Sequence, residues 1–110
     1  MKLPNAEQAI VDEGKVRDYL LSTTHPIGRF KAAFFATLGF GPENWQELVS
    51  QIKGIAAARD ARLGAKTGFG QKYLVSGTLT GGEAGSSRVE TVWIILATGD
   101  VPQLVTVYPE

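Results

Sequence analysis

The amino-acid sequence predicts an α+β fold, with about three N-terminal helices packed on one face of a C-terminal antiparallel β-meander of three to four strands. In the first half, apolar residues recur at three- and four-residue intervals, which is the period of a helix with one buried face. After Gly64 they alternate with polar residues, which is the period of a strand. The length of 110 residues and the apolar content of 44% fit a single globular domain over residues 1–110.

The first two helices are placed by their capping residues. A short strand at 10–11 precedes Asp12, which is a good N-cap for a first helix that runs to about Ser22. Pro26 suits the first turn of a second helix, and Gly39 is expected to end it in the left-handed conformation. The apolar stripe of this second helix comprises Ile27, Phe30, Phe34 and Leu38.

A third helix is predicted to open at Pro42. Its apolar stripe comprises Trp45, Leu48, Val49, Ile52 and Ile55. The alanine-rich stretch 56–63 is expected to continue this helix, because alanine is the strongest helix former.

The sheet is predicted to follow Gly64. A turn at 68–70 leads into a strand around 72–77, and a loop at 80–87 joins it to a second strand at 88–98. That second strand is apolar on both faces at its end, so we expect it to be central. The last strand, 104–108, is short and uncharged and is expected at an edge. The expected core includes Phe34, Trp45, Ile52, Val75 and Trp93.

The composition excludes several classes of function. The absence of cysteine excludes a thiolate nucleophile, a zinc knuckle and a redox motif, and a single histidine excludes a multi-histidine metal site. No cofactor and no metal are therefore expected. The longest apolar run is far below the ~20 residues that span a bilayer, and residues 1–14 do not resemble a signal peptide. We expect a cytoplasmic protein with no membrane partner. A net charge of zero argues against strong whole-molecule attraction to nucleic acid.

The segment that contains the only histidine carries the best candidate for chemistry. His25 stands directly before a predicted helix start, and Arg29 and Lys31 follow within two turns. Helix N-termini attract anions, and a histidine there is suited to acid or base catalysis near neutral pH. The alternative is structural: His25 caps the helix, and the two cations are merely solvated.

Sequence motifs along essentially the whole chain are similar to an uncharacterised bacterial domain family. The most specific is His25-Pro26-x-Gly28-x-x-Lys31-Ala32-x-x-Phe35. The others are Leu3-Pro4-Asn5-Ala6, Lys15-x-x-Asp18-Tyr19-Leu20-Leu21, Gly39-Phe40, Phe69-Gly70-x-x-Tyr73, Thr91-x-Trp93-Ile94-Ile95 and Pro102-x-Leu104-Val105-Thr106-x-Tyr108-Pro109. The resemblance implies a short stand-alone protein or the C-terminal tip of a polymorphic toxin, and it implies no particular activity.

A weaker resemblance, at the level of the fold, is to the metal-independent ribonucleases of the barnase, EndoU, RelE-like and colicin-type toxins. That fold also places helices before an antiparallel sheet, and fold does not by itself determine function. The residues of matching type are His25, Lys31, Thr91, Thr106 and Tyr108. The chain departs from the two-histidine members, because it has one histidine, and this puts an EndoU-like mechanism in doubt.

These observations leave three hypotheses for function. In the first, the domain cleaves RNA: His25 takes the 2′-OH proton, Lys31 and Arg29 hold the scissile phosphate, and Thr91 or Tyr108 positions the substrate. Further substrate-binding candidates are Tyr73 and Thr106, with core packing as the alternative for the tyrosine. In the second hypothesis, the domain is non-catalytic and binds a second copy of itself or a cognate protein. The third is a small-molecule enzyme of another class.

Overall fold

A four-stranded antiparallel sheet forms the C-terminal half of the protein. The structure is a computed structural model that describes residues 1–26 and 28–110, apart from the side chain of Phe30. The strands are β1 (Ala61–Lys66), β2 (Gly70–Thr80), β3 (Ser86–Leu96) and β4 (Gln103–Pro109). They lie in the order β1-β2-β3-β4, and every neighbouring pair is antiparallel. The predicted central position of β3 and edge position of β4 are therefore confirmed.

Three helical segments precede the sheet. They are α1 (Glu13–Lys15), which continues as a π-helical turn over Val16–Leu20, then α2 (Gly28–Thr37) and α3 (Trp45–Ala58), with a 3-10 turn at Pro42–Asn44 before α3. Asp12 caps α1 as predicted, since its side chain accepts a 3.0 Å hydrogen bond from the backbone N–H of Lys15. Gly39 follows α2 with a φ of 83°, which confirms the left-handed residue expected there. Within the described residues, no helix is long and apolar enough to cross a membrane.

The core lies between the helices and one face of the sheet. Alternate residues of the strands are buried on that face, as the period of two predicts. They include Val75 and Leu79 on β2, Val89, Thr91 and Trp93 on β3, and Leu104 and Val107 on β4. Of the predicted core residues, Ile52, Val75 and Trp93 are fully buried, whereas Phe34 and Trp45 are partly buried against the same cluster. The Ile27 position and the Phe30 side chain lie outside the described residues.

The predicted end of the third helix is wrong. The helix does not continue over 56–63: it ends at Ala58, and Arg59 already has extended dihedral angles (φ −104°, ψ 158°). Strand β1 then begins at Ala61, which is buried and paired with β2. Helix propensity amounts to a few tenths of a kcal/mol per residue, so tertiary pairing and burial override it easily.

The predicted arrangement of helices first and an antiparallel meander afterwards also needs correction. The longest helix, α3, lies in the middle of the chain and leads directly into the four-stranded sheet. The residues ahead of the helices join that sheet, because Lys2 bridges to Asp60 and Ile10 bridges to Gln103 in parallel orientation. The fold is α+β, but its N-terminal segment also contacts the C-terminal half through two isolated β-bridges. The short strand predicted at 10–11 is reduced to the single bridge of Ile10. The partners of Lys2 and Ile10 have no local sequence signal, because they depend on the register of distant segments.

The N-terminal segment covers part of the edge strand β4, and a side chain covers the end of β2 that extends beyond β1. Beside β4, Ile10 donates a hydrogen bond to the carbonyl of Pro102 and accepts one from the N–H of Leu104, both 2.9 Å long. Beside β2, the side-chain amide of Gln51 donates to the carbonyl of Thr80 at 2.7 Å and accepts from the N–H of Thr80 at 2.8 Å. Covered backbone groups are not free to pair with another chain.

Candidate functional site

The face of the sheet opposite the helices carries a connected group of polar side chains. Neighbouring residues of a strand point to opposite faces, so the residues that alternate with the core point away from it. Ser76, Glu90 and Tyr108 pair across β2, β3 and β4, and form one row on this face. The next row contains Arg88, whose carbonyl accepts a hydrogen bond from the N–H of Glu110. We call the following residues the open-face cluster: Arg62, Ser76, Arg88, Glu90, Tyr108 and Glu110.

Glu90 lies at the centre of the open-face cluster. Its side chain is 13% exposed, although it is on the uncovered face. One carboxylate oxygen pairs with the guanidinium of Arg62, and the other accepts a 2.7 Å hydrogen bond from the hydroxyl of Tyr108. A carboxylate this poorly exposed needs such partners, because burying an unpaired charge costs several kcal/mol. The site therefore holds one carboxylate in a fixed position between a cation and a hydroxyl donor.

Lys31 reaches the same face from α2. Its ammonium donates a 3.3 Å hydrogen bond to the carbonyl of Val107 on the outer edge of β4. It also lies 5.7 Å from the ring centroid of Tyr108, within the range of a cation–π contact. Partial burial lowers the pKa of Lys31 below its ordinary value. The tyrosine thus contacts Lys31 with its ring and Glu90 with its hydroxyl, which joins helix and strand residues in one site.

Glu110 forms the other end of the cluster. One of its carboxylate oxygens accepts a 2.7 Å hydrogen bond from the hydroxyl of Ser76, and the other accepts a 3.1 Å hydrogen bond from Nε of Arg88. These two bonds lower the pKa of the Glu110 carboxyl group. Arg62 lies beside them and donates to the Ser76 hydroxyl at 3.4 Å. Two arginines and a serine therefore surround an anionic group at this end of the cluster.

The structure places His25 at the entry to α2 and in contact with the π-helical turn that follows α1. Its Nδ1 accepts a 3.0 Å hydrogen bond from the backbone N–H of Gly28, and its ring packs edge-on against Tyr19 at a centroid distance of 4.8 Å. This is the hydrogen bond of a helix cap. It uses the lone pair of Nδ1, which is the acceptor nitrogen of the ring when the proton is on Nε2. General-base chemistry at His25 would require this bond to break.

The glycine of the His25-Pro26-x-Gly28 motif also has a structural role. A Cβ atom at Gly28 would lie 2.0 Å from the carbonyl oxygen of Tyr19, so only glycine lets the start of α2 approach the end of the first helical segment. The same motif continues to Lys31, which points to the open face. The motif is therefore structural at its start and presents a cation at its end.

The predicted site residues on the strands lie on two different faces. Thr91 is fully buried on the core face, where its hydroxyl donates to the carbonyl of Val75 at 2.7 Å. Tyr73 shares that face and packs partly buried against the core cluster. Thr106 and Tyr108 point to the opposite, open face. The sheet separates Thr91 from Tyr108, so the two side chains cannot contact one substrate group.

Arg29 and Thr106, both predicted to bind substrate, differ in exposure. Arg29 is exposed in the first turn of α2. Thr106 is half-buried, and its hydroxyl oxygen is inaccessible to solvent and has no hydrogen-bond partner among the described residues. A buried hydroxyl without a partner costs free energy of folding, so it is an unusual choice for this position.

Sequence reasoning missed Glu90, Arg62, Ser76, Arg88 and Glu110. A partial signal was present, because in the first half of β3 Arg88 and Glu90 alternate with the core residues Val89 and Thr91. The strand register aligns three such positions, on β2, β3 and β4, in one row. This alignment brings the polar side chains together.

Outside the open-face cluster, the described residues offer little for chemistry. A groove of about 240 Å³ between α3 and β2 is lined by Gln51, Gly54, Ile55, Ala58, Arg59 and Thr78. Its one charged side chain, Arg59, provides no acid–base pair. In the described part of the chain, no three His, Cys, Asp or Glu side chains come close enough together to hold a metal ion.

The fold and the cluster define a class of protein: a small α+β domain whose sheet is covered by helices on one face and carries a polar site on the other. The model of the family DUF6883, a domain of unknown function, matches residues 2–110, and the chain belongs to that family. This confirms the predicted membership in an uncharacterised domain family, whereas the similarity to toxin tips and to ribonucleases stays a prediction. The comparisons with curated proteins and with solved structures found no match.

Proposed function

We propose that this domain is a ribonuclease that cleaves RNA without a metal ion and that the open-face cluster is its active site. The observation that carries the proposal is the position of Glu90, whose carboxylate is held between the Arg62 guanidinium and the Tyr108 hydroxyl. The Lys31 ammonium lies over the ring of this tyrosine. A carboxylate paired with one cation, with a second cation over the neighbouring tyrosine ring, is suited to proton transfer next to a phosphate.

In the proposed reaction Glu90 accepts the proton of a ribose 2′-hydroxyl. The 2′-oxygen forms a bond to phosphorus as the bond between phosphorus and the 5′-oxygen breaks. Lys31 gives a proton to that leaving oxygen, which becomes a 5′-hydroxyl, and the other fragment ends in a 2′,3′-cyclic phosphate. Protons and bonds balance, and no further reactant is needed.

The two cations have distinct tasks. Arg62 neutralises the charge that grows on the non-bridging phosphate oxygens, which a guanidinium does well because it offers several N–H donors in one plane. Lys31 is the proton donor, and its lowered pKa makes it a better acid than an ordinary lysine. Tyr108 positions Glu90 and separates it from Lys31.

This assignment moves the general base of the sequence hypothesis from His25 to Glu90. The reason is that the Gly28 N–H occupies the one acceptor lone pair of His25, whereas each carboxylate oxygen of Glu90 accepts one hydrogen bond and keeps a second lone pair. Lys31, Thr106 and Tyr108 remain at or beside the proposed site. Thr91 and Tyr73 lie on the core face and have no part in it.

The test is cleavage of bulk tRNA in EDTA by the wild type and by Glu90→Gln, which preserves shape and removes the base. Loss of a general base typically slows a reaction by about 10²–10⁴-fold. Glu83→Gln is the matched control, since Glu83 is an exposed glutamate in the turn Gly82–Ala84. We expect normal cleavage by the control and a cyclic phosphate at the new 3′ ends.

Three results would contradict the proposal. The first is no cleavage by the wild type across several RNAs. The second is equal rates for the wild type and a folded Glu90→Gln. The third is cleavage that EDTA abolishes.

A second candidate function, protein interaction, has one observation in its favour. At the hairpin between β1 and β2, Phe69 is 81% exposed and Leu63 is 63% exposed. Large apolar side chains left exposed on one hairpin can belong to an interface. The test is light scattering of the wild type and of Phe69→Ser. A concentration-dependent dimer that the substitution abolishes would favour interaction, and a monomer at high concentration would count against self-association.

A further inference from the structure

Glu110 interacts with the open-face cluster in the way that a bound anion would. Its two carboxylate oxygens accept hydrogen bonds from the Ser76 hydroxyl at 2.7 Å and from Nε of Arg88 at 3.1 Å. The two donors belong to neighbouring strands, so the register of the sheet sets the positions of their backbones. Arg88 and Glu110 are both exposed, and Glu110 follows β4. An anion from solution therefore has access to the same donors that Glu110 uses.

Phosphate and carboxylate oxygens accept the same hydrogen bonds from arginine and from hydroxyl groups. Arg62, which donates to Ser76 at 3.4 Å, adds a second positive charge beside these donors. The lowered pKa of Glu110 shows that its surroundings favour the charged form of an anion. These donors suit a phosphate group as well as they suit the glutamate.

Arg88 is separated from Glu90 by about one step along a nucleic-acid strand, whereas Ser76 pairs directly with Glu90. Arg88 and Glu90 lie on the same face of β3 two residues apart, which places their Cα atoms roughly 6.8 Å apart. Successive phosphates of a single strand have a similar spacing. A strand whose scissile phosphate lies beside Glu90 would bring its next phosphate to Arg88.

We propose that Ser76 and Arg88 form a second phosphate-binding subsite, that Glu110 occupies it when no substrate is bound, and that single-stranded RNA displaces the glutamate. The proposal rests on the function proposed above and adds the substrate class: an oligonucleotide with at least two consecutive phosphates. Glu110 then competes with the substrate, and its removal improves binding.

The experiment measures binding separately from cleavage. The probe is a fluorescein-labelled single-stranded oligodeoxynucleotide, which has phosphates but no 2′-hydroxyl and cannot be cleaved by the proposed reaction. Fluorescence anisotropy at low salt is followed for the wild type, Glu110→Gln and Arg88→Ala. The charge-matched controls are Glu83→Gln and Arg59→Ala, both at exposed positions outside the cluster.

We expect Glu110→Gln to tighten binding by about 3- to 10-fold, which corresponds to removal of one competing carboxylate. Arg88→Ala should weaken binding, and the double variant should bind no better than Arg88→Ala alone. Inorganic phosphate should compete with the probe in the Glu110→Gln variant at lower concentration than in the wild type. Neither control should differ from the wild type by more than about two-fold.

Equal affinity of the wild type and Glu110→Gln for the probe would overturn the subsite. A gain in affinity of the same size in Glu83→Gln would also overturn it, because overall charge would then be responsible. The outcome is independent of the ribonuclease assay. Tighter binding by Glu110→Gln in a protein that cleaves no RNA would support the subsite and refute the function. RNA cleavage by the wild type, without any effect of Glu110→Gln on probe binding, would refute the subsite and support the function.

Discussion

The indole N–H of Trp93 donates a 2.8 Å hydrogen bond to the hydroxyl of Thr91, two residues earlier on the same strand. Both side chains are completely buried, and the threonine hydroxyl in turn donates to the carbonyl of Val75 on β2. The hydroxyl therefore satisfies the one polar atom of the largest core side chain. Thr91 contributes to the stability of the sheet, and its hydroxyl is not available to a substrate.

Replacement of Thr91 by valine should destabilise the protein by about 1–3 kcal/mol, because it leaves the buried Trp93 N–H without a partner while it preserves the side-chain shape. Urea denaturation measures the loss. Thr78→Val is the control, since Thr78 is exposed on β2, and it should change stability by less than about 0.5 kcal/mol. A similarly small loss for Thr91→Val would mean that the hydrogen bond contributes little.

Replacement of Trp93 by alanine should cost about 3–5 kcal/mol, because a fully buried aromatic side chain is removed from the core and leaves a cavity. The same denaturation experiment measures it. A loss below about 1 kcal/mol would contradict the burial of Trp93 between β3 and the helices.

His25→Ala should lower the melting temperature and leave RNA cleavage unchanged within about two-fold, because the imidazole caps α2. Loss of a cap costs about 0.5–2 kcal/mol. His25→Asn offers a rescue, since asparagine is a good capping residue and should restore most of the stability. If His25→Ala instead abolished cleavage at an unchanged melting temperature, the histidine would be the general base and Glu90 would not.

Thr106→Val should be neutral or stabilising, which is unusual for a substitution in a sheet. The Thr106 hydroxyl is buried with no partner among the described residues, so valine removes an unsatisfied polar atom and keeps the shape of the side chain. Thermal unfolding of Thr106→Val beside Thr106→Ser, which retains the hydroxyl, separates polarity from packing. A fall in melting temperature for the valine variant alone would show that the hydroxyl has a partner in solution.

Local sequence signals located most of the elements. Asp12 and Gly39 marked the ends of helices correctly, because a cap and a left-handed residue depend on a few neighbouring atoms. Alternation in 72–77 and 88–98 gave two strands for the same reason. The stretch 56–63 failed, because its alanines favour a helix locally while Ala61 pairs with Val75, 14 residues away along the chain.

Part of the candidate site could likewise be predicted from the sequence, and the rest depends on the tertiary structure. The sequence by itself determined that the chain has no thiolate and one histidine, that a motif at 25–31 starts a helix, and that Lys31 and Tyr108 are candidates for chemistry. Only the tertiary structure decided that Lys31 meets Tyr108 and that Tyr108 meets Glu90, while His25 turns to Tyr19 and Gly28. The physical reason is register. A shift of one residue in the pairing of β3 with β4 would send Glu90 and Tyr108 to opposite faces, and no local property of either strand sets that pairing.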